Sequence, residues 1–193
     1  MQDWIRIRKV EVLSAGWSTL KKTTYDFRRR DGSWQTQSRE TYDRGDGCAV
    51  LLYNRERRTV LLIRQFRYPA YVNGHPEPLI EVCAGLLDTA DPESCIRKET
   101  AEETGYRIDR PVKVLEAFMS PGSVTERLHL FVAEYDPSSR VTAGGGIESE
   151  EEDIETLELG FDQALAMVQS GEILDAKTIM LLQWATLNRL MGD

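Results

Sequence analysis

Between Leu79 and Tyr106 the chain passes from an apolar run, through a glycine-bearing loop, into a helix that must display three carboxylates close together. Leu79–Cys83 reads as a short strand. Asp91-Pro92-Glu93 opens the helix, because Asp91 can cap its free amides and Pro92 suits the first helical position. The helix runs to about Thr104 and stops at Gly105, a residue that tolerates the left-handed conformation found just past a helix end. Glu99 and Glu103 are four residues apart, about 40° around the axis, so both carboxylates point along one face. Glu102 lies on an adjoining line, with Lys98 one turn before it as an ion-pair partner. Three acids this close repel one another unless cations sit among them, and carboxylate oxygen is what Mg²⁺ prefers. The Ala84-Gly85 pair before the helix can present a backbone carbonyl to such an ion, with Gly85 allowing close approach.

The remaining chain supplies a sheet for this helix to pack on. Cys48–Tyr53 and Thr59–Arg67 are nearly continuous apolar runs around a charged turn, as expected of strands buried on both faces. Residues 68–78 are rich in Pro, Gly and Asn and read as a loop. Val112–Met119, Arg127–Tyr135 and Glu155–Leu159 read as strands, while Phe161–Ser170 and Lys177–Met191 have helical apolar spacing. Ahead of all this, Ile5–Leu13, Thr19–Arg30 and Trp34–Tyr42 read as strands, the last two joined by an Asp31-Gly32 hairpin signal. The expected architecture is α/β, a mixed sheet flanked by helices. A β-rich subdomain spans residues 1–45 and the main domain 46–193, with Arg44-Gly45-Asp46-Gly47 as the punctuation between them.

Charge is distributed unevenly. The net charge is −8, yet residues 1–45 carry +4, and residues 141–176 hold ten acids and no Lys or Arg. That acidic segment opens on Gly144-Gly145-Gly146 and runs through Glu148-Ser149-Glu150-Glu151-Glu152-Asp153. The overall acidity argues against nucleic acid and anionic membranes as partners. No apolar run approaches the ~20 residues of a bilayer span, and the N-terminus lacks a signal-peptide pattern, so a cytoplasmic protein is expected. Cys48, Cys83 and Cys95 form no C-x-x-C pair and read as buried free thiols, while neither His75 nor His129 sits in a context suited to a catalytic triad.

The glycine–glutamate pattern resembles the box of the Nudix hydrolases, G-x5-E-x7-R-E-U-x-E-E-x-G-U with U a bulky apolar residue. Gly85, Glu99, Glu102, Glu103, Gly105 and Tyr106 match it. Lys98 stands where the box has Arg, Thr100 replaces the bulky apolar residue, and the loop is one residue short, with Asp91 at the place of the first box Glu. The likeness extends along the whole chain to the GDP-mannose pyrophosphatase branch of that family. It is carried by Ser38-Arg39-Glu40, Tyr42-Asp43-Arg44-Gly45, Arg64-Gln65-Phe66-Arg67, Met119-Ser120-Pro121-Gly122 with Thr125-Glu126, and Gly144-Gly145-Gly146-Ile147-Glu148.

The resemblance implies a Nudix-type α/β/α sandwich and a homodimer whose N-terminal subdomains swap to complete the partner's site. It implies Mg²⁺ held by Glu99, Glu103 and the Ala84 carbonyl, joined by a carboxylate of the 148–153 loop. Around the substrate it places Trp17 near the nucleotide, Ser38 and Glu40 from the N-terminal piece, and Arg39 and Arg67 at the diphosphate. Gly85, Leu86, Glu126, Glu151 and Lys177 complete that lining. Counting forward from the glycines favours Glu150 as the loop ligand or base. Counting back from the strand after Asp153 favours Glu152, which is the expected residue because the strand is the firmer anchor. The implied reaction is hydrolysis of a nucleotide sugar, GDP-mannose first and ADP-ribose or another nucleotide sugar as alternative. A catalytically silent nucleotide-sugar binding module is the reading from a different class.

Overall fold

A computed structural model describes residues 4–87, 91–147, 149 and 151–192, which leaves Glu148 and Glu150 outside the described residues. The chain divides into two units. One takes the residues up to Asp46 together with Phe118–Arg127, and the other takes Gly47–Ala117 and the chain from Leu128 onward.

The first unit is a three-stranded antiparallel sheet of β1 (Ile5–Ala15), β2 (Thr19–Arg28) and β3 (Trp34–Asp43), in that order. The β2–β3 turn forms where the sequence asks for it. Gly32 takes φ 84°, and the Asp31 carboxylate accepts from the Ser33 amide at 2.9 Å. Backbone hydrogen bonds from Tyr42 to Ser123 and from Thr125 to Tyr42 add residues 123–125 beside the end of β3. The apolar residues of β1 stay exposed, Ile7 at 59% and Val12 at 60%.

The second unit holds β4 (Gly47–Asn54), β5 (Thr59–Gln65), α1 (Tyr68–Val72), β6 (Leu79–Glu81), β7 (Cys83–Leu86) and α2 (Pro92–Thr104). It continues with β8 (Val112–Phe118), β9 (Arg127–Glu134), β10 (Ile154–Gly160), α3 (Phe161–Ser170) and α4 (Ala176–Leu187). The strands form one mixed sheet in the order β10-β5-β4-β9-β8, with β6 paired to β5 and β7 to β4. β4 and β9 run parallel, whereas β4–β5, β5–β10, β5–β6 and β4–β7 are antiparallel. Because side chains alternate along a strand, β4 serves two layers. Cys48, Val50 and Leu52 join Cys95 and Ile96 of α2 in one core cluster, while the equally buried Ala49 and Leu51 face the opposite side, the side on which α4 meets β4. Each fully buried leucine of this strand contributes about 1.5–3 kcal/mol. The result is an α/β/α arrangement with a mixed sheet and a β-rich N-terminal part.

Two local expectations are corrected. Residues 68–78 are not all loop: Tyr68–Val72 form a short helix with Pro69 in its first turn, a position that needs no amide. The strand expected over Leu79–Cys83 is two strands, one pairing β5 and the next β4, so the chain changes partner at Val82. No helix among the described residues is long and apolar enough to cross a membrane.

Candidate active site

The acidic helix forms as its end signals require. The Asp91 side chain accepts from the amides of Glu93 (3.0 Å) and Ser94 (3.2 Å), so the residue at the place of the first box Glu acts as the N-cap. Gly105 closes the other end at φ 79°. Thr100, the residue that replaces a bulky apolar one, is fully buried with its hydroxyl donating to the Ile96 carbonyl at 2.6 Å, so no polar atom is left unsatisfied. Lys98 pairs with Glu102 at 3.2 Å, as the spacing predicts.

Glu99 lies directly against Gly85. A Cβ placed on Gly85 would stand 2.2 Å from the Glu99 carboxyl carbon, so only glycine leaves this carboxylate its place. Glu103 points into the fold, is 1% exposed, and accepts from the Ala84 amide at 3.2 Å. A strand residue directs its N–H and C=O to the same side, so the Ala84 carbonyl faces Glu103 as well. Burial pushes the Glu103 carboxyl up to about 8, aided by the charges of Glu99 and Glu152 and opposed by hydrogen bonds from Cys83 and Ala84.

Glu152 reaches this cluster because its loop is fastened to the end of α2. The amides of Gly145 and Gly146 donate to the carbonyls of Glu103 (2.8 Å) and Glu102 (3.1 Å), and the Ile154 amide donates to Gly145 (3.1 Å). The three glycines take φ of 70°, 111° and 85°, a run of left-handed backbone that side chains would resist. The Ile147 amide donates to the Glu152 carboxylate at 3.0 Å. Glu151 sits at φ 59° and is exposed.

Among the described residues no three acidic, His or Cys side chains converge into a ready-made metal cage. The donor set still fits a hard divalent cation. Such an ion keeps several waters and needs only one or two carboxylates, which Glu99 and Glu103 supply with the Ala84 carbonyl beside them. Burial, with the charges of Glu99 and Glu152, makes the ionised form of Glu103 costly, and a cation beside it would offset that cost.

Two cations of this unit share one buried carboxylate close to the acidic cluster. Arg67 sits within electrostatic reach of Glu103 and holds Glu81 through two hydrogen bonds, Nε–Oε1 at 2.7 Å and Nη2–Oε2 at 3.3 Å. Lys177 pairs with the same Glu81 and with Asp175 at 2.9 Å. Asp175 caps α4 by accepting from the Thr178 amide at 2.9 Å, and the Thr178 hydroxyl accepts from the Val82 amide at 2.7 Å. Sequence reasoning missed Glu81. Its one signal was an acid inside an otherwise apolar strand.

The other expected residues lie in the first unit. Trp17 is 91% exposed, and Ser38 shares a hydrogen bond with Thr24 at 2.9 Å. Arg39 and Glu40 face Thr23 and Lys22 across the β2–β3 register, and Glu126 pairs with Arg44 at 3.5 Å. Arg39, Glu40 and residues 121–125 line a cavity of about 760 Å³ together with Ile5, Ile7 and Phe118. Cys48, Cys83 and Cys95 are free and buried, and burial raises Cys83 well above the ordinary thiol range, which leaves it inert.

A stability prediction follows from Glu103. A carboxyl whose folded-state pKa is raised binds its proton more readily when folded, so stability falls as pH rises through the window from 4.5 to about 8. In chelator, the wild-type thermal midpoint is expected to drop more between about pH 5 and about pH 8 than that of Glu103→Gln. Parallel slopes for the two proteins in a melting series would contradict this.

Comparison with known proteins adds the following. The GDP-mannose pyrophosphatase NudK N-terminal domain matches residues 4–42, and the NUDIX domain matches residues 43–182. The GDP-mannose pyrophosphatase of Cronobacter sakazakii is 54% identical over 188 residues, 97% of both chains. That of Escherichia coli is 52% identical over 192 residues, 99% of this chain and all of its own. That of Klebsiella pneumoniae is 53% identical over 189 residues, 97% of this chain and 94% of its own.

Proposed function

The chain belongs to the Nudix family, and from that premise we propose that it is an Mg²⁺-dependent hydrolase of the diphosphate bond in a nucleotide sugar, GDP-mannose giving GMP and mannose 1-phosphate. The observation that carries the proposal is the adjacency of opposite charges in one unit. Glu103 feels Glu99 and Glu152 on one side, and on the other Arg67 feels Glu103. A buried carboxylate within an acidic cluster, beside ordered cations, suits a metal-bound diphosphate better than it suits a module that only binds sugar.

Mg²⁺, when bound, would neutralise charge on the diphosphate and make the attacking water more acidic. Glu99, Glu103 and the Ala84 carbonyl are the groups that would hold it. Arg67 and Lys177 steady phosphate oxygens; a guanidinium does so through two parallel hydrogen bonds. Arg39, Ser38, Glu40 and Trp17 would come from a partner's N-terminal sheet in a homodimer, a reading supported by the exposed apolar residues of β1. Glu152 orients the attacking water and takes its proton, while Glu151, Glu126, Gly85 and Leu86 line the substrate. Three free thiols agree with a reducing, cytoplasmic setting.

A panel of nucleotide sugars incubated with Mg²⁺ and resolved by chromatography tests the substrate. GDP-mannose is expected to be consumed fastest. Faster consumption of ADP-ribose would move the assignment to that alternative, and binding without product would leave only the silent module.

A further inference from the structure

We propose that Glu81 is a positioning residue that sets Arg67 and Lys177 as a pair for the diphosphate, an inference that rests on the proposed nucleotide-sugar reaction. Glu81 ends β6 and is 2% exposed. A carboxylate is placed there at a cost, which only close cations repay. Arg67 begins 14 residues earlier and Lys177 lies 96 residues later, yet both converge on this one side chain.

The manner of contact gives Glu81 its role. Arg67 presents its side edge, Nε and Nη2, to the carboxylate, and Nη1 makes no hydrogen bond to a described residue. A guanidinium has five N–H donors in a planar fork. The edge formed by Nη1 and the second proton of Nη2 therefore remains open, and its direction is fixed by Glu81. Lys177 gives two of its three protons to Glu81 and Asp175, which leaves one. Asp175 is in turn held as the cap of α4, which anchors the ammonium from a second side.

One buried carboxylate thus holds two cations, each with donors to spare, instead of neutralising a single partner. The four charges of Arg67, Lys177, Glu81 and Asp175 cancel, so an arriving dianion finds oriented donors without an unpaired buried cation in its absence. Burial alone would raise the Glu81 carboxyl, but Lys177 and Arg67 outweigh it and hold the group below the usual carboxylate range.

The test uses the full chain with Glu81→Asp, which keeps the charge and withdraws it by one methylene, and Glu81→Gln, which keeps the shape and removes the charge. In folded Glu81→Asp, KM for GDP-mannose is expected to rise about tenfold or more. The Mg²⁺ concentration for half-maximal activity should remain that of wild type, a split that a purely structural residue would not produce. Calorimetric titration with inorganic pyrophosphate in Mg²⁺ reads the same cations without turnover, and both variants are expected to bind it more weakly. Wild-type KM and pyrophosphate affinity in a folded variant would overturn the role of Glu81, and so would loss of the fold in both variants. Wild type that binds pyrophosphate but cleaves no nucleotide sugar would reject the functional reading alone. Wild type that binds no pyrophosphate would reject both.

Discussion

Glu103→Gln is expected to lose turnover by ~10³-fold or more while remaining folded, the scale on which a preorganised charge at the reacting group acts. Glu103 is the most buried of the acids on its helix face and the one whose carboxyl the fold has desolvated. Gln keeps the length and can still accept from the Ala84 amide, so the packing around α2 and β7 survives. What disappears is the negative charge that a hard cation would balance. Removing a charge that repels Glu99 and Glu152 also relieves the metal-free fold. Above about pH 8 the variant should therefore melt no lower than wild type. Circular dichroism melts and rates at saturating Mg²⁺ check both halves. Retained activity would remove Glu103 from the metal site, whereas collapse of the fold would make its role structural.

Glu152→Gln is expected to lose turnover by ~10²-fold or more, the usual contribution of a positioned general base, while Glu150→Gln stays near wild type. Three observations support Glu152. It contributes to raising Glu103, which places it in reach of the acidic cluster, and its carboxylate is steadied by the Ile147 amide. Its loop is also tied through Gly145 and Gly146 to the last carbonyls of α2. Glu152 and the two glutamates on the helix therefore keep a fixed relation. Steady-state rates on the two variants decide the matter: near wild-type turnover in Glu152→Gln, with loss in Glu150→Gln, would transfer the role.

Much of the structure around this site was legible because its signals are local. Asp91, Pro92 and Gly105 fix the ends of α2 within a few residues of sequence, and the apolar runs of β4 and β5 declare strands buried on two faces. The spacing of Glu99, Glu102 and Glu103 placed the acids before any fold was known. What could not be read was either locally ambiguous or long-range. Pro69 served as a helix start where proline density had implied a loop. The change of strand partner at Val82 depends on β4 and β5 lying side by side. Glu81 is the clearest case, since its meaning lies in Arg67 and Lys177, and no local pattern brings those three together. The charge pattern was sharper than its sum. The acidic stretch after the glycines includes Glu152, held on the end of the acidic helix, rather than serving only as a solvated tail.

The most direct measurement is phosphorus-31 NMR of GDP-mannose incubated with the full chain and Mg²⁺. The two diphosphate resonances should give way to two phosphomonoester resonances, those of GMP and mannose 1-phosphate, with no change in chelator. Persistence of the diphosphate signals at every Mg²⁺ level, or their replacement by those of GDP with free mannose released, would contradict cleavage of that bond by this site.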